Sequence, residues 1–339
     1  MKKTGKLNLF ICLSAFVLLI VFVLYFSDKG AILDGLLAIR PLWIAAAVGC
    51  MFLYWLIEAL ILHLMLRPHY PAQRFIDTVR VSMCGQYFNC VTPMATGGQP
   101  FQAYYLTKQK VPLGIAMNGL LSKFIVYQTV LVIVSAVLLV LRLDYFVRNV
   151  SGFAFLVFIG FLVNALVMVA LLSLAIFEKL PKTISRAVIG LLGKVKLMKD
   201  PEKKKAEMDE QIDGFRAAFR EMPKHLPEVA ASVVLTVVQL LSFMIIPYLI
   251  CRSFGPAPTD VLTMTAAQSF VMTVSSFIPI PGAEGGAEGS FLFFFGGFFA
   301  ADRIGLALVI WRVITFWLMV IVGGGFALSC EKRYGEKSQ

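Results

Sequence analysis

The sequence predicts an all-α polytopic membrane protein: about six full spans plus two re-entrant broken helical hairpins, arranged as an inverted repeat. Three observations predict it. First, 59% of the 339 residues are hydrophobic and only 15% are charged, with a mean hydropathy of +0.81. A soluble domain carries about 25% charged residues. Second, the apolar residues fall in blocks of about 20, the length a helix needs to cross a bilayer. Third, two apolar stretches carry the same interruption, Pro, three residues, then Gly-Gly. The copies are Pro93-Met94-Ala95-Thr96-Gly97-Gly98 and Pro281-Gly282-Ala283-Glu284-Gly285-Gly286. Helix breakers at membrane depth free backbone N–H and C=O groups that lipid cannot satisfy. Such breaks must be buried in protein or line a wet cavity.

The elements follow in order. Leu7 to Phe26 is the first span. It follows Lys2, Lys3 and Lys6 as a signal peptide would, but its apolar run is long and no small-x-small cleavage site follows, so it reads as an uncleaved span. A short loop with Asp28, Lys29, Asp34 and Arg40 leads to Pro41, which opens span two, to about Leu66. Arg67, Arg74 and Arg80 mark a basic turn. The first broken stretch runs from Ile76 to Leu106 and is closed by Lys108 and Lys110. A clean span covers Leu113 to Leu141, Arg142, Asp144 and Arg148 form a small loop, and another span covers Val150 to Phe177. Glu178 to Glu228 is the one long polar segment. A span from Val229 to Cys251, the second broken stretch from Val261 to Ala300 and a last span from Ile304 to Leu328 complete the chain.

Positive charge predicts sidedness. The groups near Lys2, Arg67, Lys108, Lys203 and Lys332 all fall on the cytoplasmic face if each broken stretch enters and leaves on one face. The first then dips in from the cytoplasm and the second from outside. Residues 1–149 become one half and 150–329 its inverted counterpart, with 178–228 a cytoplasmic loop and 330–339 a cytoplasmic tail. Both termini are expected in the cytoplasm and the protein in the cell membrane. Hydropathy alone leaves open hairpins that cross fully twice. Within the polar loop, Met208, Ile212, Phe215 and Phe219 share one face of a helix. That helix is expected along the inner leaflet or against the bundle, and Lys203, Lys204 and Lys205 could meet anionic headgroups.

The net charge of +11 does not point to nucleic acid, because the basic residues sit at the ends of apolar blocks. Six scattered cysteines form no Cys-x-x-Cys pair, and the histidines at 63, 69 and 225 form no metal spacing along the chain. No metal or cofactor is expected. Asn149-Val150-Ser151 fits the glycosylation sequon, a match that arises often by chance. No His-Glu-x-x-His, Gly-x-Ser-x-Gly or P-loop occurs, so no enzyme activity is expected.

Cations inside spans are costly and mark pathways or partners. Lys123 and Arg312 lie at nearly the same offset after Gly98 and Gly286, each in the span that follows its hairpin. One reading is phosphate binding, since Arg offers a fork and Lys a point charge. The other is a salt bridge within the bundle, with Glu58, Glu284 or Glu288 as partners. Half-helix N-termini at the tips attract anions. Gln99 and Gln102 follow the first tip, where Asn89, Thr92 and Thr96 add neutral hydrogen-bonding groups. At the second, Glu288 either caps the restarting helix or reads a headgroup, and Glu284 could meet an ammonium. Gln86, Gln128, Gln239 and Gln268 read as glue between helices.

The run Gly85-Gln86-Tyr87-Phe88-Asn89, Thr92-Pro93, Gly97-Gly98-Gln99-Pro100-Phe101-Gln102 resembles the flippase-like family that includes the membrane domain of lysylphosphatidylglycerol synthases (multiple peptide resistance factors). Ile278-Pro279-Ile280-Pro281-Gly282, Gly285-Gly286 and Glu288-Gly289 match its second signature, and Arg312 its basic residue in the last span. The resemblance covers about Leu7 to Leu328. It implies movement of a phospholipid, in known members an aminoacylated phosphatidylglycerol, between leaflets. Many members carry an acid where this chain has Gln99, and the chain ends soon after its last span, so a stand-alone member without synthase activity is expected. The expected substrate-binding set is Arg312, Lys123, Glu284, Glu288, Gln99, Thr92 and Asn89, with Pro93, Gly97, Gly98, Pro281, Gly285 and Gly286 shaping the tips. The expected partners are a membrane phospholipid and, in a homo-oligomer, further copies of the chain. The alternatives are an ion-coupled transporter of a soluble anion and a membrane scaffold for a separate lipid-synthesising enzyme.

Overall fold

The computed structural model describes residues 29–149, 179–194, 200–275 and 280–334, with single positions 14, 17, 21, 166, 169, 173, 177 and 278 besides. The expected spans Leu7 to Phe26 and Val150 to Phe177, and the sequon at Asn149-Val150-Ser151, fall wholly or largely outside them. The described chain is helical, with no strand.

The helices are α1 (Lys29–Ala38), α2 (Pro41–Leu66), α3 (Phe75–Cys90), α4 (Gly98–Lys108), α5 (Leu113–Asn149), α6 (Lys179–Lys194) and α7 (Pro201–Glu221). They continue with α8 (Leu226–Met244), α9 (Ile246–Phe254), α10 (Val261–Ser275), α11 (Gly286–Phe295), α12 (Ile304–Arg312) and α13 (Leu318–Tyr334). Proline lacks an N–H and is tolerated in a first turn. Pro41, Pro201 and Pro247 accordingly sit at the starts of α2, α7 and α9. Pro247 also explains why the span expected at Val229 to Cys251 divides into α8 and α9 at Ile245.

Two expected loops are helical instead: Asp34 lies within α1, and Arg142, Asp144 and Arg148 lie within the last turns of α5. The polar segment forms two helices, α6 and α7, and the helix expected around Met208 to Phe219 is α7. Paired charge lets these polar turns stay helical. Arg148 Nε lies 2.8 Å from Asp144 Oδ1 one turn away. Lys182 and Arg186 of α6 reach Asp213 and Asp209 of α7. Of the four apolar residues expected on one face of α7, Ile212 and Phe215 are buried, whereas Met208 and Phe219 are exposed. Phe215 packs with Ile125 of α5, so α7 lies against the bundle. Lys204 and Lys205 pair within their own helix with Glu207 and Glu202.

The loops gather at two ends. At one, Gln73 bonds Gln109 (2.8 Å), Tyr334 reaches Asp77 (3.3 Å) and His69 faces Glu221 (3.6 Å). At the other, the Arg40 N–H donates to the Ser253 carbonyl, Arg142 pairs with Asp260 (3.0 Å) and Arg303 donates to the Phe254 carbonyl. The hairpin of α3 and α4 starts and ends at the first, basic end. The hairpin of α10 and α11 starts at the second end, beside Asp260. With a rise of 1.5 Å per residue, α3 is about 24 Å long and α10 about 22 Å. Neither crosses the ~30 Å hydrocarbon core. Their tips, Pro93–Ala95 and Pro281–Ala283, meet each other; the first is exposed, whereas Pro281 of the second is buried.

Several contacts are matched when the two hairpin-containing segments are exchanged. α13 packs on α3, and α5 packs on α10; α2 packs on α8, and tip packs on tip. The contacts are apolar where they can be. Phe291 stacks on Trp311 (centroids 4.8 Å) and on Phe295 (4.6 Å), fastening α11 to α12. Between helices in lipid, such van der Waals packing replaces the hydrophobic effect as the driving force.

Candidate functional site

The two tips follow one backbone path. Thr92 (φ −120°, ψ 145°) and Ile280 (φ −117°, ψ 141°) are extended. The prolines start a tight turn, and the next two residues are left-handed: Met94 and Ala95 (φ 51° and 52°), Gly282 and Ala283 (φ 69° and 52°). Left-handed conformation costs a non-glycine residue about 1–2 kcal/mol. The tips then part. Gly97 and Thr96 are already helical, whereas Glu284 is extended (ψ 138°) and Gly285 is at φ 82°. That detour turns the Glu284 side chain inward, with 9% of its surface exposed.

The first tip is closed by its own side chains. Asn89 Oδ1 accepts from the Gly98 N–H, and Thr92 Oγ1 accepts from the Gly97 N–H, both at 2.9 Å. Thr92 Oγ1 also donates to the Phe88 carbonyl. Asn89 and Thr92, expected to contact substrate, here satisfy the restarting helix, whose orphan N–H groups need partners. Space enforces the pattern: a Cβ on Gly98 would collide with Asn89, and one on Gly85 would collide with the Gln102 side chain. Gln99 is half-buried and makes no side-chain hydrogen bond among the described residues.

The second tip carries charge. Arg312, 4% exposed, ends α12 and lies 3.1 Å from Glu284 Oε2 and 2.5 Å from Glu288 Oε1. Its Nη2 also donates to the Gly282 carbonyl at 3.0 Å. The guanidinium lies 4.7 Å from the centroid of the Phe316 ring, a cation–π arrangement. That ring packs so closely on Gly282 that a Cβ there would sit 2.7 Å from it. Glu288 is both cap and ion partner: its Oε2 accepts from the Gly285 N–H at 2.7 Å. Glu284 Oε1 is buried with no hydrogen-bond partner among the described residues. With both carboxylates ionised, the cluster carries one net negative charge.

Phe316 falls in a π-helical turn, Val313–Trp317, directly after Arg312. Such wide turns recur at functional sites. Within it, Thr315 Oγ1 donates to the Trp311 carbonyl. Nothing in the apolar pattern of Ile304 to Leu328 signals this turn.

Lys123 is not part of this cluster. It forms the salt bridge within the bundle that is the other expectation for it, with Glu58 as the partner. Lys123 Nζ pairs with Glu58 Oε1 at 2.5 Å and lies 3.5 Å from Gln102 Oε1. Gln239 Nε2 donates to Glu58 Oε2 at 3.0 Å, and Gln86 bonds the same carboxylate. The network ties α2, α3, α4, α5 and α8 together, and no hydrogen bond or ion pair joins it to Arg312 among the described residues. The buried lysine finds its partner on another helix, as the cost of a lone charge in lipid requires.

Two broken hairpins meeting tip to tip, with a caged arginine behind the second, can be compared with known proteins. Residues 9–323 match the family described as the lysylphosphatidylglycerol synthase TM region. The chain belongs to this family. The lysylphosphatidylglycerol synthase TM-region family thus accounts for nearly all of its length. A relative from Archaeoglobus fulgidus, described as a UPF0104 membrane protein, is 22% identical over 279 residues, covering 80% of this chain and 81% of the relative. Membership fits a multi-pass membrane protein, and among the described residues four helical stretches are long and apolar enough to cross a bilayer: Pro41–Leu66, Leu113–Arg148, Glu202–Phe254 and Ile304–Tyr334.

Proposed function

We propose that the chain is a phospholipid translocase of the cell membrane, not an enzyme, and moves an anionic or aminoacylated phospholipid between leaflets. The observation that carries the reading is the Arg312–Glu284–Glu288 cluster at the tip where two oppositely entering hairpins meet. Broken hairpins meeting at mid-depth are where transporters place substrate sites. The cluster is built to exchange partners. A headgroup ammonium can pair with Glu284 and Glu288 as Arg312 turns its fork to the phosphate, and the acyl chains stay in lipid. Each buried charge then keeps a partner throughout, which avoids the cost of an uncompensated charge.

The basic residues Arg67, Arg74, Lys108 and Lys332 support a cytoplasmic location for their end of the molecule, and this reading has both termini there. The test is translocation of fluorescent and aminoacylated phospholipids in vesicles containing purified protein. Wild type is expected to exceed protein-free vesicles, and Arg312→Ala and Glu288→Ala to fall toward them. Variants that move every lipid as fast as wild type would remove the site from the account.

A further inference from the structure

A separate cluster lies at the basic end of the molecule. His69 sits in the turn after α2, Glu221 is the last residue of α7, and His225 ends the short 3₁₀ turn Met222–His225 that leads into α8. Their order along the chain hides them, since His69 and His225 are brought together only when α7 folds back on the bundle. His69 Nε2 lies 3.6 Å and His225 Nε2 3.8 Å from the same oxygen, Glu221 Oε1. The imidazole centroids are 4.6 Å apart, and one ligand atom from each residue lies within 4.8 Å of the others.

We propose that His69, Glu221 and His225 form a binding site for a divalent zinc-class cation. Neutral imidazole nitrogens with a carboxylate are the donor set such ions prefer, and two histidines with one glutamate leave a fourth position open. Tetrahedral zinc at about 2.0–2.1 Å from each ligand needs ligand atoms about 3.3 Å apart. The observed 3.6 and 3.8 Å are already close to that. His69 Nε2 is buried without a hydrogen-bond partner among the described residues, and it faces Glu221. The three residues line one small pocket, together with Asn118, Ser122 and Glu228. Lys224 occupies the other Glu221 oxygen at 2.8 Å and leaves Oε1 to the two histidines. A bound ion would fasten α7, the helix of the polar segment, to the end of α2.

The experiment uses full-length protein purified without a histidine tag, stripped with chelator and titrated with zinc against a chromophoric chelator. Retained metal is counted by elemental analysis, and thermal unfolding is followed in parallel. One zinc per chain and a raised unfolding temperature are expected. His69→Ala and His225→Ala should each weaken binding beyond the roughly 10–100-fold that loss of a mere outer-shell partner causes, whereas Lys224→Ala should bind as well or better. Zinc should also slow diethylpyrocarbonate modification of His69 and His225 in the wild type, a readout that needs no variant to fold. The proposal is overturned if stripped wild type takes up no zinc, if both histidine variants bind it unchanged, or if binding is lost instead in a Cys84→Ser/Cys330→Ser variant.

Discussion

Replacing Arg312 with alanine should be among the most destabilising single changes in the chain. The side chain is 4% exposed and neutralises two carboxylates that are themselves about one-tenth exposed. Removing one partner of a buried ion pair costs about 3–5 kcal/mol, because a buried charge is left uncompensated. Here two carboxylates would be left facing each other, and the cation–π contact with Phe316 would go as well. The upper part of that range is therefore expected. The same argument says the loss is electrostatic and not one of volume. The triple change Arg312→Met/Glu284→Gln/Glu288→Gln should recover most of it. The amide oxygen that replaces the Glu288 carboxylate can still accept from the Gly285 N–H. The assay is equilibrium unfolding in detergent, read by thiol-reactive dye. Cys84, Cys251 and Cys330 are buried and become reactive only on opening. A single variant within about 1 kcal/mol of wild type, below the range for a broken buried pair, would mean that Arg312 does not neutralise the two carboxylates. A triple variant less stable than Arg312→Ala would refute the electrostatic reasoning.

Four further outcomes are expected. Lys123→Met should cost about 3–5 kcal/mol by stranding Glu58, and adding Glu58→Gln should restore most of it, as measured by the same unfolding assay. Met94→Gly should stabilise by roughly 1 kcal/mol, because Met94 is left-handed and its exposed side chain has little packing to lose; a lower unfolding midpoint would count against the described turn. Asp209→Asn and Asp213→Asn, which break exposed α6–α7 pairs, should each change stability by less than about 1 kcal/mol, and less still in high salt. Asp260 caps α10 through the Thr263 N–H; partial burial opposes its ionisation, but bonds from Thr263 and Arg142 outweigh that and hold its carboxyl below the usual range. A depressed folded value means this stability is present above the ordinary carboxylate value and is lost as pH falls through the folded one. Asp260→Ala should therefore cost about 1 kcal/mol at neutral pH, and the gap from wild type should close in acid melts.

The broken hairpins were legible because backbone chemistry in lipid is unforgiving. Pro93 and Pro281, each followed by Gly-Gly, could only be interruptions, and both are. The buried cations were legible for the same reason, and Glu58, Glu284 and Glu288 were the acids available to meet them. Which acid met which cation was not legible, because that depends on how helices distant in sequence pack. Hydropathy also misplaced helix ends. Arg142 and Arg148 read as loop, yet a helix carries charge freely once it leaves lipid, and α5 runs on through both. The roles of Asn89 and Thr92 needed coordinates, since a polar residue near a tip serves equally well as a cap or as a ligand. Phe316 gave no signal at all; an aromatic among aromatics becomes special only when a guanidinium lies over it.

Whether the cluster behind the second tip handles a lipid headgroup is tested by lipid translocation in reconstituted vesicles of defined composition. Wild type should move an anionic or aminoacylated phospholipid faster than protein-free vesicles do. Glu284→Gln/Glu288→Gln should selectively slow lipids whose headgroup carries an ammonium. The account is contradicted if no phospholipid is moved above the protein-free rate, or if the double variant moves each of them as wild type does.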